Sequence, residues 1–185
     1  MRLRGKNAKS KASAMPIRPK QAQGLLQQLK VLVVDDSLFM RAIVRGLLSN
    51  IGVKSVIESS DGIAALDKIR EEAPDVVILD WEMPLLNGPE LVRIVRSPGV
   101  FPTPDIPIIM LTAHGEHWRI LQSLNLGVNE FLCKPVSARA LFERLVSIVL
   151  MPRASVQRGS YYGPVPRVPS PNSATDAAKL TSPAA

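Results

Sequence analysis

The chain has 185 residues, 46% of them hydrophobic, and a formal net charge of +7. That length suits one domain of ordinary size with tails rather than two, and no apolar run nears the ~18 residues of a membrane span or supplies the core of a secretory signal. Residues 1–30 carry +8, residues 31–150 carry −4 and residues 151–185 carry +3, so the basic charge belongs to the ends and a nucleic-acid-binding core is disfavoured.

Residues 1–29 read as a basic, mostly disordered arm with a short helical turn at "GLLQQL". Apolar runs of strand length follow at 31–34 (VLVV), 53–57 (VKSVI), 75–79 (DVVIL), 107–111 (PIIML) and 130–133 (EFLC). Three are continuous rather than alternating, which suits strands covered on both faces. Helical patterns separate them. After Ser37, residues Met40, Ile43, Val44, Leu47, Leu48 and Ile51 recur at helical spacing, and Gly52 stops the pattern. Asp61 caps a second helix running to Glu72 before Pro74. Asn87, with Glu90 three residues on and Pro89 between, opens a third near 88–96. A fourth falls near 116–126, closed by Gly127, and a fifth runs from Ser137 to Leu150. Five βα units in residues 30–150 predict a doubly wound α/β domain: a parallel five-stranded sheet with right-handed crossovers and helices on both faces. Residues 151–185, with six prolines and no periodicity, read as a disordered tail. The lone cysteine, Cys133, permits no intrachain disulfide and reads as a buried strand residue, which fits a reducing cytoplasm.

Ligands of such sheets bind at the carboxyl ends of the strands. Those ends carry Asp35-Asp36, Asp80 followed by Trp81-Glu82-Met83-Pro84, Thr112-Ala113, and Lys134-Pro135. Clustered carboxylates repel unless a cation or protons neutralise them, and a small, incomplete oxygen cluster suits Mg²⁺. A hydroxyl and an ammonium opposite are anion-binding groups. The set is arranged for phosphoryl transfer onto a carboxylate.

These residues give residues 30–150 a close resemblance to the receiver domain of two-component response regulators, in particular the stand-alone chemotaxis regulator. The matching segments are "VLVVDDS", "DVVILDWEMP", "IIMLTAH" and "EFLCKPV". The resemblance implies the flavodoxin-like (βα)5 fold and a stand-alone phosphorelay switch. Asp80 would accept a phosphoryl group from a histidine kinase or histidine phosphotransfer protein. Asp35, Asp36, Asp80 and the backbone carbonyl of Glu82 would hold Mg²⁺. Lys134 would contact the phosphoryl oxygens, Thr112 would close on them, and Phe131 would change rotamer with it. Lys134-Pro135 is often cis in this family. His114 and Glu82 occupy positions that tune dephosphorylation, and Phe39-Met40 is either core or a docking surface for the phosphodonor.

No output domain fits in the last 35 residues, so output is expected through contact with a downstream protein or by passing the phosphoryl group onward in a relay, with no membrane partner and with nucleic acid disfavoured. Homodimerisation through the fourth helix, fifth strand and fifth helix stays open. The alternative is a phosphohydrolase working through an aspartyl-phosphate. It wants an Asp two residues after the nucleophile, where this chain has Glu82, and a cap for which there is no sequence. The segment 96–107 (RSPGVFPTPDIP) is longer and richer in proline than the family's usual connection, and a loop of that length is often functional or disordered.

Overall fold

The computed structural model describes residues 19–113 and 125–165. In chain order these form α1 (Pro19–Leu26), β1 (Lys30–Val34), α2 (Leu38–Asn50), β2 (Ser55–Ser59), α3 (Gly62–Glu72), β3 (Val76–Asp80), α4 (Gly88–Val95), β4 (Ile108–Thr112), β5 (Glu130–Cys133), α5 (Ala138–Leu150), β6 (Ser155–Arg158) and β7 (Tyr161–Pro164). The expected helix at 116–126 and His114 lie essentially outside the described residues.

Strands 1 to 5 make one parallel sheet in the order β2-β1-β3-β4-β5. The chain winds outward from β1 in one direction and from β3 in the other. The switch point therefore lies between β1 and β3, whose carboxyl ends carry Asp35-Asp36 and Asp80.

Both faces are covered. Val31, Val33, Ile78, Ile109, Leu111 and Leu132 pack under α2 and α5, against Val44, Leu48, Leu141 and Leu145. Leu32, Val34, Val77, Leu79, Ile108 and Met110 pack under α3 and α4, against Ala65, Ile69, Leu91 and Val92. Successive side chains point to opposite faces, and burial on both makes the inner strands apolar throughout.

The helix caps stand where the sequence places them. Ser37 Oγ accepts from the Met40 amide at 3.3 Å, Asp61 Oδ1 from Ala64 at 2.8 Å, and Ser137 Oγ from Ala140 at 3.1 Å. Asn87 and Glu90 form a reciprocal capping box, each bond 3.0 Å. The edge strand β2 begins two residues later than its apolar run. Val53 belongs to the end of the preceding turn, its amide bonded to the Leu48 carbonyl.

Three expectations are corrected. The helical turn at "GLLQQL" is the end of a helix that starts at Pro19, and Leu26 is buried in the α2–α5 core. The tail is not disordered from residue 151: β6 and β7 form an antiparallel hairpin. Its pairing has no apolar alternation to announce it, because polar contacts with the domain hold it in place. Cys133 is exposed. β5 is an edge strand whose alternation sends Glu130 and Leu132 inward and leaves Cys133 outside. Among the described residues no helix is long and apolar enough to cross a membrane.

Candidate functional site

The carboxyl ends of β1, β3, β4 and β5 form one rim. Asp35 and Asp80 are buried there, whereas Asp36 is exposed. Ligand atoms of Asp35, Asp36 and Asp80 lie within 4.8 Å of one another. Lys134 reaches across from the end of β5, its ammonium 2.9 Å from Asp35 Oδ2 and 2.9 Å from Asp80 Oδ1. Thr112 is buried at the end of β4, next to Lys134: the Lys134 amide donates to its carbonyl at 2.8 Å. The Lys134-Pro135 bond is cis.

Local chemistry holds each group. Asp35 Oδ1 accepts from the Ser37 amide at 2.9 Å, which fixes the side chain at the start of α2. Asp80 Oδ1 accepts from the Trp81 amide at 2.9 Å and from Lys134, leaving Oδ2 with no hydrogen bond among the described residues. Burial pushes the Asp80 carboxyl above its usual range, and the Asp35 charge adds to this; Lys134 and the Trp81 amide only partly offset it. Burial also works against the Lys134 ammonium, but Asp35 and Asp80 outweigh it and hold its pKa above the ordinary lysine value. Three carboxylates facing one ammonium leave a formal charge of −2. A divalent cation matches that count, and the all-oxygen donor set suits a hard one. An open cavity of about 440 Å³ lies beside Asp36, lined also by Trp81, Glu82, Met83 and Asn87, so a cation and its waters have room. The residues fit Mg²⁺.

Residues 31–146 match the response regulator receiver domain. The chain belongs to that family. Chemotaxis protein CheY1 of Helicobacter pylori is 42% identical over 118 residues, 63% of this chain and 94% of that protein. The chemotaxis protein CheY homolog of Campylobacter jejuni is 38% identical over 122 residues, 65% of this chain and 92% of that protein. Among solved structures, Vibrio cholerae chemotaxis protein CheY4 aligns with TM-score 0.59 at 32% identity, over 65% of this chain and 98% of that one. A response regulator receiver domain protein from Clostridium thermocellum aligns with TM-score 0.60 at 30% identity, over 66% and 95%. This receiver is thus a CheY-like response regulator, and phosphorelay signalling is its class of function. The small-molecule phosphohydrolase is not favoured.

Two residues of the receiver's rim escaped the reading of strand ends. Arg41 donates to the carbonyls of Asp35 at 2.7 Å and Asp36 at 3.3 Å, and its Nε lies 3.3 Å from Glu58 on β2. It ties the acidic turn to the neighbouring strand. A cation near the positive end of a helix is electrostatically unfavourable, and that anomaly was the available signal. Gly88, at the start of α4, is the other. A Cβ there would lie 2.4 Å from the Asp80 carbonyl oxygen and 3.1 Å from Trp81 Cα. Gly88→Ala is expected to cost about 1–3 kcal/mol, the range for over-filling a tight site, read as a lower urea midpoint at unchanged m.

Phe131 is half-buried on β5 and packs against the α3–α4 core. Glu82 is exposed beside the cavity. Around the same rim Phe39 is 73% exposed and Leu85 85%, the latter with φ 68°, a strained backbone for a leucine. Met40 is half-buried, so the expected pair divides: Phe39 faces solvent and Met40 the domain.

Proposed function

We propose that this chain carries a phosphoacceptor switch in which Asp80 takes a phosphoryl group from a phosphohistidine. The observation that carries the reading is the meeting of Asp35, Asp36, Asp80 and Lys134 at the switch point, with a formal charge of −2. Asp80 Oδ2 is the nucleophile, because Oδ1 is held by the Trp81 amide and Lys134. The phosphorus–nitrogen bond of the donor breaks as the new phosphorus–oxygen bond forms, and the electron pair returns to the imidazole. Asp35, Asp36, Asp80 and the Glu82 carbonyl would hold Mg²⁺, which when bound would offset the negative charge of the phosphoryl oxygens. Lys134 exchanges its contact with Asp80 for a phosphoryl oxygen. Thr112 closes on the same group, and Phe131 moves into the space it leaves. Phosphorylation adds up to about two negative charges at one point, and that charge shifts a two-state surface at β4, β5 and α5.

The partners are a histidine kinase or histidine phosphotransfer protein, which docks on the apolar rim at Phe39 and Leu85, and a downstream protein that reads the shifted surface. The protein works as a signalling switch in the cytoplasm rather than as a turnover enzyme.

With Mg²⁺ and acetyl phosphate, the chain is expected to gain one phosphate that is labile to hydroxylamine, as an acyl phosphate must be. Addition of EDTA beforehand should suppress labelling. Labelling that resists hydroxylamine, or that proceeds equally in EDTA, contradicts the reading.

A further inference from the structure

The hairpin that follows α5 is an addition to the five βα units, and it is bound to the domain at defined points. It lies at the end of the sheet opposite Asp80, against the entries to β4 and β5. Its closest approach is backbone to backbone. A Cβ on Gly163 of β7 would lie 2.6 Å from Gly127 Cα, and a Cβ on Gly127 would lie 2.4 Å from the Tyr162 carbonyl oxygen. Gly127 has φ 87°, so the turn before β5 needs glycine twice, for its backbone and for this contact.

Polar bonds surround the approach. Tyr162 Oη donates to Asp105 Oδ1 at 2.7 Å. Arg153 donates to the Asn129 carbonyl and, at 2.9 Å, to the Val165 carbonyl, closing the base of the hairpin. Beneath it Arg96, the C-cap of α4, is buried. It donates to the carbonyls of Gly127 at 2.8 Å and Pro104 at 2.6 Å, and to Asn129 Oδ1 at 3.0 Å. Asn129 Oδ1 in turn accepts from the Ile108 amide at 3.0 Å, at the first residue of β4. The proline-rich segment 96–107 and the hairpin, the two departures from the family pattern, therefore hold one another around the turn that feeds β5.

β4 and β5 carry Thr112 and Lys134 at their other ends, and Gly127 ends the connection that begins after Thr112. A backbone contact with no slack lets the turn at 125–129 shift only if the hairpin yields, because close-packed contacts do not deform continuously. We propose that residues 151–165 form a strap that favours the unmodified conformation of residues 125–129, the turn that feeds β5, so that releasing the strap makes the phosphorylated state easier to reach. The proposal rests on Asp80 being the phosphoacceptor. By linkage, loading the site loosens the strap by the same factor.

The test uses the full chain with Mg²⁺ and beryllofluoride as the phosphoryl probe. Gly163→Val inserts bulk at the close approach; the double variant Asp105→Ala/Tyr162→Phe removes the Tyr162–Asp105 hydrogen bond without adding bulk and leaves the Arg153 bonds in place. Each is expected to speed amide exchange at 125–129 and to tighten beryllofluoride binding about fivefold or more, the lower end of ordinary coupling. In the unaltered chain, beryllofluoride should speed exchange at 155–165. Faster exchange at 125–129 with unchanged or weaker beryllofluoride binding makes the hairpin a passive brace and overturns the proposal. Unchanged exchange in both variants overturns it too. Failure of the unaltered chain to bind beryllofluoride at all removes the phosphoacceptor reading, and the strap's role with it.

Discussion

Lys134→Ala is expected to destabilise the cation-free protein by about 3 kcal/mol, and Mg²⁺ is expected to restore most of the loss. Lys134 contacts both Asp35 and Asp80 at 2.9 Å, and its side chain is 17% exposed against 1% and 9% for theirs. Removing one partner of a buried pair costs ~3–5 kcal/mol because the other charge stays buried and uncompensated; partial exposure of the ammonium places this case at the lower end. The raised lysine pKa fixes the sign with pH. The ammonium's contribution is complete below the ordinary lysine value of 10.5 and is lost as pH rises through the higher folded value. The deficit should thus be full at pH 7 to 8 and shrink in acid, where the carboxylates take up protons. Mg²⁺ no longer competes with the ammonium for Asp35 and Asp80, so its stabilisation, which grows with the ratio of its concentration to its Kd, should exceed that in the unaltered protein. Thermal melts with and without Mg²⁺ measure all of this. Melts of Lys134→Ala that match the unaltered chain without Mg²⁺ would remove Lys134 from the charge balance of the site.

Asp80→Asn is expected to abolish the hydroxylamine-labile phosphate and, unlike most changes at a buried site, to raise the stability of the cation-free protein. The first effect follows from replacing the carboxylate nucleophile with an amide. The second follows from burial, which outweighs Lys134 and leaves the Asp80 carboxyl with a raised pKa, so ionisation costs free energy. That cost is fully present at pH above the raised value and disappears as pH falls toward the ordinary 3.8. The melting temperature of Asp80→Asn should exceed that of the unaltered chain most at neutral pH, and the two should converge in acid. Retained labelling would mean that another group accepts the phosphate. A lower melting temperature at neutral pH would mean that the bonds to Lys134 and Trp81, rather than burial, dominate at this carboxylate.

The fold class could be read from the residues because its signals are local. Ser37, Asp61, Asn87 and Ser137 all cap helices, and strands covered on both faces carry unbroken apolar runs. Asp35, Asp36, Asp80, Thr112 and Lys134 could be placed on one rim because a parallel sheet puts every strand's carboxyl end on the same side, so chain order alone brings distant residues together. Element edges were less legible: β2 starts at Ser55 rather than Val53, since pairing with β1 at Lys30↔Ser55 sets the register and apolar content does not.

What only the tertiary structure decided rests on contacts between segments with no local signature. The hairpin at 155–164 has two four-residue strands, the second interrupted by Gly163, and an isolated hairpin is marginal in water. It exists because Arg153, Tyr162 and Gly163 find Asn129, Asp105 and Gly127 already positioned by the domain. Cys133 is outside because β5 lies at the sheet edge, which follows from strand order and not from its apolar neighbours. Arg41 and Gly88 serve the rim through backbone carbonyls, the Arg41 guanidinium as a donor to two of them and Gly88 by leaving space beside a third. Carbonyls look alike at every residue, so partners of this kind leave no mark in the sequence.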